Sequence, residues 1–150
     1  LILNLGCGRR PILLDDTINH DLHKHADYVD VAHDLDEYPW PWGDETADTI
    51  YAKDVLEHLN NLVKSLEECW RILIPGGMLY LSVPHWNFDV SHRDPTHKWF
   101  LTMKSMDYFI RGTSLERDFG YYSPMRWILH KGEVVGSDIR WAMEKDEPST

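Results

Sequence analysis

Leu1-Ile2-Leu3-Asn4-Leu5-Gly6-Cys7-Gly8 is the stretch that decides how this chain is read. An apolar run of strand length stops at two glycines. Glycines at that point let the backbone come close to a ligand and turn its polar groups outward. Asp21 stands 15 residues after Gly6, at the end of the strand that the pattern predicts over Thr17–Leu22. A carboxylate there can accept both hydroxyls of a ribose. A dinucleotide site needs more: a third glycine and a helix whose N-terminus holds the pyrophosphate. Here Pro11 and two aspartates leave one helical turn at most between Arg9 and Asp16. A pyrophosphate would lose its main anion site, although Arg9 and Arg10 could hold phosphate with their side chains. A nucleoside without phosphate suits the pattern better, which favours S-adenosylmethionine over NAD.

Outward from this motif, Tyr28–Ala32 and Thr46–Tyr51 read as further strands. Pro39-Trp40-Pro41-Trp42-Gly43-Asp44 between them is a rigid loop. Leu59, Leu62, Val63, Leu66, Trp70 and Leu73 follow helical spacing and predict a helix over Asn60–Leu73, with Glu67 and Arg71 paired on its outer face. Pro75-Gly76-Gly77 ends it, and Met78–Val83 is a buried strand closed by Pro84. Thr102 caps a short helix over Met103–Ile110. Met125–His130 and Ser137–Glu144 predict a hairpin, and Pro148-Ser149-Thr150 a frayed end. Strands alternating with helix or loop, then a terminal hairpin, make an α/β sheet, mostly parallel with an antiparallel edge.

Composition narrows the class. The chain has 150 residues, enough for one domain, with 25 acidic and 15 basic residues and a formal net charge of −10. So acidic a chain, without a basic stripe, disfavours a nucleic-acid acceptor, although Arg9-Arg10 and the Lys98, Lys104 and Arg111 group are local exceptions. No apolar run reaches the roughly 18 residues of a membrane helix. Cys7 and Cys69 are the only cysteines, so no disulfide framework is expected and a reducing, cytoplasmic setting is. Leu1 already lies inside an apolar run, so sequence upstream is expected. Seven Trp, seven Tyr and nine His are a heavy load of rings.

With these residues in view, the chain resembles the class I S-adenosylmethionine-dependent methyltransferases, of a small type whose first motif reads Leu-Asn-Leu-Gly-Cys-Gly. His33-Asp34-Leu35 with Tyr38-Pro39-Trp40 resembles the stretch where an acid after the third strand meets the adenine amino group. Ala47 to Leu59, ending in Leu56-Glu57-His58-Leu59, resembles the fourth-strand motif. Leu73-Ile74-Pro75-Gly76-Gly77 resembles the turn before the fifth strand. The resemblance covers Leu1 to Pro84. It implies a Rossmann-like methyltransferase fold with a seven-stranded, mostly parallel sheet and an antiparallel C-terminal hairpin. The first helix is abbreviated and the usual N-terminal helix missing.

The cofactor residues follow from the resemblance. Leu5, Gly6, Cys7 and Gly8 would cradle the methionine part of S-adenosylmethionine with backbone N–H and C=O groups. Asp21, with Leu22 beside it, would hold the ribose diol. Asp34 would meet the adenine, with Leu35 packing nearby. Lys53 and Asp54 would face the reactive end. Methyl transfer needs chiefly alignment, and an acceptor hydroxyl or amine also needs a base. His85, directly after the fifth strand, and His58 are the catalytic candidates. His20-Asp21-Leu22-His23-Lys24-His25 has the look of a metal site, but Asp21 already has a use, so no metal is expected. The tryptophan loop, with Trp86, Trp99, Phe100, Tyr108 and Phe109, is expected either to pack in the core or to line an acceptor pocket or interface.

The expected function is methyl transfer to a small-molecule or glycan-like acceptor, by a chain compatible with a homodimer. The alternative is a non-catalytic S-adenosylmethionine-binding or assembly module on the same fold. A nicotinamide-dependent oxidoreductase is the third reading, and the missing helix and third glycine count against it.

Overall fold

A computed structural model describes residues 1–147; the Pro148-Ser149-Thr150 end predicted to fray lies outside the described residues. The strands are β1 (Ile2–Leu5), β2 (Thr17–Asp21), β3 (Val31–Ala32), β4 (Ala47–Lys53), β5 (Leu73–Pro84), β6 (Trp127–Val135) and β7 (Asp138–Lys145). They form one seven-stranded sheet in the order β3-β2-β1-β4-β5-β7-β6. The first five run parallel, while β7 is antiparallel to both β5 and β6. The order turns back between β1 and β4, and open sheets of this kind bind ligands at the carboxyl ends of the strands beside such a switch.

The predicted helix is α1 (Leu62–Ile72). The Asn61 side chain caps it by accepting from the Lys64 N–H at 3.0 Å, which satisfies one orphan donor of the first turn. Leu62 and Leu66 of the predicted face are buried against the sheet with Cys69 and Ile72, while Val63 and Trp70 are half-buried, so the buried stripe is rotated from the predicted one. The outer-face pair is a correction. Arg71 bonds Glu68 at 2.7 Å and Asp44 at 2.6 Å, while Glu67 accepts from the Ser123 hydroxyl at 2.6 Å. Arg71 is drawn inward because its guanidinium also donates to the Trp42 carbonyl, so it ties the tryptophan loop to the helix. Residues 74–77 bulge out of the β4–β5 ladder, between the Ala47–Leu73 and Thr49–Met78 pairs. Gly77 fits there because a Cβ would lie 2.9 Å from the Ile74 carbonyl oxygen.

The other crossovers do without long helices. Between β1 and β2, Asn4 donates to Asn19 at 2.9 Å and to the Arg10 carbonyl at 3.1 Å, and Asn19 bonds Ile12 in both directions. Two buried asparagines thus fasten the loop that replaces the first helix. Between β3 and β4, Trp40 and Trp42 are buried in the main core, and the Trp40 indole donates to the Leu35 carbonyl. They therefore pack in the core and line no open pocket. After β5 come α2 (Asp89–Arg93), a 3₁₀ segment Met103–Phe109 capped by Thr102, and α3 (Ser114–Phe119). The Met103–Ile110 helix predicted from sequence is this 3₁₀ segment.

Leu3, Leu5, Ile50, Ala52, Leu79, Leu81 and Trp141 join the core. Their alternating neighbours Tyr51, Lys53, Tyr80 and Arg140 remain exposed, with Tyr51 and Tyr80 stacked at 5.0 Å. A parallel sheet ordinarily buries both faces; this one concentrates its core on one. Among the described residues, no helix is long and apolar enough to cross a membrane.

Candidate functional site

The glycine turn after β1 is held from β2. Gly6 and Gly8 have φ of 58° and 53°, a region that costs residues with a Cβ. A Cβ on Gly6 would also stand 2.4 Å from Val55 Cγ2. The Gly6 N–H donates to His20 Nδ1 at 3.2 Å, the Cys7 N–H to the His20 carbonyl at 2.7 Å, and the Gly8 N–H to Asp21 Oδ2 at 2.8 Å. This corrects one expectation: the turn's amides are committed to β2, the Cys7 carbonyl accepts from the Arg10 N–H and the Gly8 carbonyl from the Tyr28 hydroxyl, so what the cradle offers is chiefly Cβ-free space. His20 is the residue whose role sequence reasoning missed. Its Nδ1 accepts, so its Nε2–H donates to the His33 carbonyl at 2.8 Å. Burial holds its pKa below the ordinary histidine value, which keeps the ring in this neutral, two-handed role. Leu5 and Cys7 are buried behind the turn, and burial pushes the Cys7 thiol pKa up.

Asp21 stands where the sequence placed it. Its Oδ1 accepts from the Leu22 N–H at 2.7 Å, and its Oδ2 from Gly8 and from His25 at 3.0 Å. Partial burial acts to raise its pKa, but bonds from Leu22, His25 and Gly8 outweigh this and hold the carboxyl below the usual range. The acid is therefore ionised and fixed in direction. A cleft of ≈ 410 Å³ opens between Gly6, Asp21, Leu22, Asp34, Leu35 and Val55. Asp34 Oδ1 accepts from the Asp36 N–H, and Asp36 in turn accepts from the Asn60 N–H. The cleft continues past the turn into a second hollow lined by Asn4, Arg10, Tyr51, Lys53 and Asp54.

These residues fit S-adenosylmethionine. The turn has room only because Gly6 lacks a Cβ, an ionised acid faces the cleft beside it, and an acid and a buried leucine flank the far end. The predicted cofactor residues thus come together at the ends of β1, β2, β3 and β4. Lys53 and Tyr51 stand on the open sheet face.

A third hollow, of ≈ 280 Å³, adjoins the first through Asp54 and His58. It takes in Glu57, Asp94, His97 and Asp138. Asp54 has φ of 53°; desolvation and the nearby Asp138 push its pKa up. Glu57 is only 1% exposed, and neither carboxylate oxygen has a hydrogen-bond partner. Burial raises its pKa to about 8; its own backbone N–H offsets part of this, while Asp54, Asp138 and Asp94 add to it. His58 sits beside it, with Nε2 3.7 Å from Glu57 Oε1. His85 lies elsewhere: it packs against Trp86 and Phe88, accepts from the Asn87 N–H, and lines none of these hollows. His20 and His25 of the stretch with metal-like spacing serve the glycine turn and Asp21. Glu57 was legible as part of the Leu-Glu-His signature, but its burial was not. Asp94 and His97 carried no signal beyond their place in an unexplained polar segment.

The strand order is that of a Rossmann-like fold, with a glycine turn facing an acid at the carboxyl ends of its strands. Residues 16–81 match the methyltransferase domain family. A Mycolicibacterium smegmatis protein, named Probable S-adenosylmethionine-dependent methyltransferase, is 34% identical over 99 residues, covering 56% of this chain and 38% of that protein. The chain therefore spans well under half the length of that curated relative. A methyltransferase from Archaeoglobus fulgidus shares the fold with a TM-score of 0.64 and 15% identity, covering 96% of this chain and 85% of the other. So does the Burkholderia thailandensis 1,6-didemethyltoxoflavin-N1-methyltransferase, solved with S-adenosylhomocysteine, with a TM-score of 0.62, 15% identity, and 97% and 71% covered. Over these residues the chain is similar to S-adenosylmethionine-dependent methyltransferases, and it shares their Rossmann-like fold.

Proposed function

We propose that this chain transfers a methyl group to a hydroxyl or amine of a small-molecule or glycan-like acceptor seated in the hollow beyond Asp54 and His58. The carrying observation is the continuity of that hollow with the nucleoside cleft through those two residues. S-adenosylmethionine supplies a methyl group already activated on a sulfonium, so the protein's task is chiefly alignment. Asp21 fixes the ribose end, Asp34 and Leu35 the adenine end, and the Gly6–Gly8 turn admits the methionine portion. Asp54 faces the junction. His58 is the catalytic histidine this geometry favours over His85, because it lines both hollows. Its Nε2 can receive a proton from an acceptor hydroxyl or amine. Acceptors carrying positive charge or donor groups suit the acidic walls.

Asp21→Ala tests the cofactor half of this reading. Hydrogen bonds to a charged group are worth roughly 1.5–3 kcal/mol, so affinity for S-adenosylhomocysteine should fall about tenfold to a few hundredfold by titration calorimetry. Unchanged affinity in a folded variant would remove Asp21 from the site.

A further inference from the structure

Glu57 poses a problem that the nucleoside site does not solve. A buried carboxylate with both oxygens unpartnered is rare in native proteins, and the common explanations are an ion or a water that binds there. The groups around it are those of a metal site. Glu57, His58 and His97 each offer a ligand atom, all within 4.8 Å of one another. The His58 and His97 rings are 4.7 Å apart, edge to face.

The hydrogen bonds behind the two rings decide which nitrogen is bare. His97 Nδ1 lies 2.9 Å from the Ser91 carbonyl, which only accepts, so Nδ1 carries the proton. His58 Nδ1 lies 2.8 Å from Thr96 Oγ1. The Thr96 hydroxyl spends its proton on Asp94 Oδ1 at 2.7 Å, so it too must accept. Both neutral imidazoles are thereby left with an unprotonated Nε2. Those are the atoms that lie 3.7 Å from Glu57 Oε1 and 3.5 Å from Asp94 Oδ2. Metal-binding histidines are typically held in this way, the far nitrogen donating to a carbonyl or other acceptor behind the ring. Ligands about 2.0–2.1 Å from a tetrahedral ion stand about 3.3 Å apart, so small side-chain movements would close the set.

We propose that Glu57, His58 and His97 bind a divalent transition-metal cation, with Asp94 beside it as a fourth oxygen donor. Two imidazoles and a carboxylate suit Zn²⁺, Co²⁺ or Fe²⁺ better than Mg²⁺ or Ca²⁺. The site lies in the acceptor hollow. Its use there rests on the methyl-transfer reading: the cation would hold the acceptor through an oxygen or nitrogen lone pair. With the cation bound, the His58 lone pair is a ligand and no longer the base; the cation would lower the pKa of the acceptor hydroxyl or amine, whose proton would then leave to solvent.

The test uses Co²⁺ as a probe on untagged protein stripped of metal by EDTA and exchanged into chelator-free buffer. Visible absorption of Co²⁺ should saturate at one ion per chain, and competing Zn²⁺ should abolish it. Glu57→Gln, which keeps the side-chain volume, and His97→Ala should each weaken binding at least tenfold, while His23→Ala should not. The metal-free melting temperature of Glu57→Gln confirms that it folds. Absence of a saturable Co²⁺ signal, or a signal unmoved in folded Glu57→Gln and His97→Ala, would overturn the proposal. S-adenosylhomocysteine binding by the metal-free chain is measured in the same samples. Its failure counts against the cofactor reading and not against the metal site.

Discussion

His20 shows how one side chain can set the geometry of a site it does not chemically serve. It receives the Gly6 amide on one ring nitrogen and donates to His33 from the other. Accepting the Gly6 amide needs the neutral ring, since a protonated ring would only donate. An unfolded histidine takes up a proton near pH 6.5, whereas buried His20 resists it to lower pH. As pH falls below about 6.5, the unfolded state binds a proton that the folded state lacks, so stability declines until the folded pKa is reached. Thermal melts at pH values below 6.5 should therefore show a falling melting temperature. His20→Asn should flatten that slope while lowering stability at neutral pH. His58 shifts in the same direction, so some slope will remain. From sequence alone, His20 looked like one of three histidines around an acid. Its two-sided role depends on register between β1 and β2, which spacing does not disclose.

At the scale of elements, α1 is the one long helix among the described residues and carries the main apolar stripe of the core. Its start depends on Asn61. Asn61→Ala should cost about 1 kcal/mol of stability, read from denaturant unfolding. Elements with strong periodicity were legible: α1, β7 and the strands of the glycine motif appear where the pattern put them, while β6 starts two residues later than predicted and runs five residues further, to Val135. The Glu67–Arg71 pair was not legible, because Arg71 turns to Glu68 on its own helix under the pull of Asp44 and the Trp42 carbonyl, which come from a loop far away in sequence. The proposed cofactor residues could be named from sequence because they sit at strand ends in a fixed order. The Glu57–His58–His97 cluster could not, since His97 reaches it only through the fold of the segment after β5. The tryptophans were ambiguous for the same kind of reason: a proline-locked loop needs a surface, and only the structure supplies the sheet and α1 as that surface.

For the whole molecule, the nucleoside cleft spans β1, β2 and β4, so a ligand there bridges several strands at once. S-adenosylhomocysteine at 100 times its dissociation constant should stabilise the fold by roughly 2.7 kcal/mol. For a domain of this size that is a rise in melting temperature on the order of 5–10 °C, measurable by differential scanning fluorimetry. NAD should give none. The turn that receives this ligand has its amides fastened to His20 and Asp21, and the loop after it is stapled by Asn4 and Asn19. Its conformational entropy is therefore surrendered when the chain folds and not when the ligand arrives. Association at this end of the cleft becomes a docking event on a ready-made wall, whose rate is set by diffusion and charge more than by the closing of a loop.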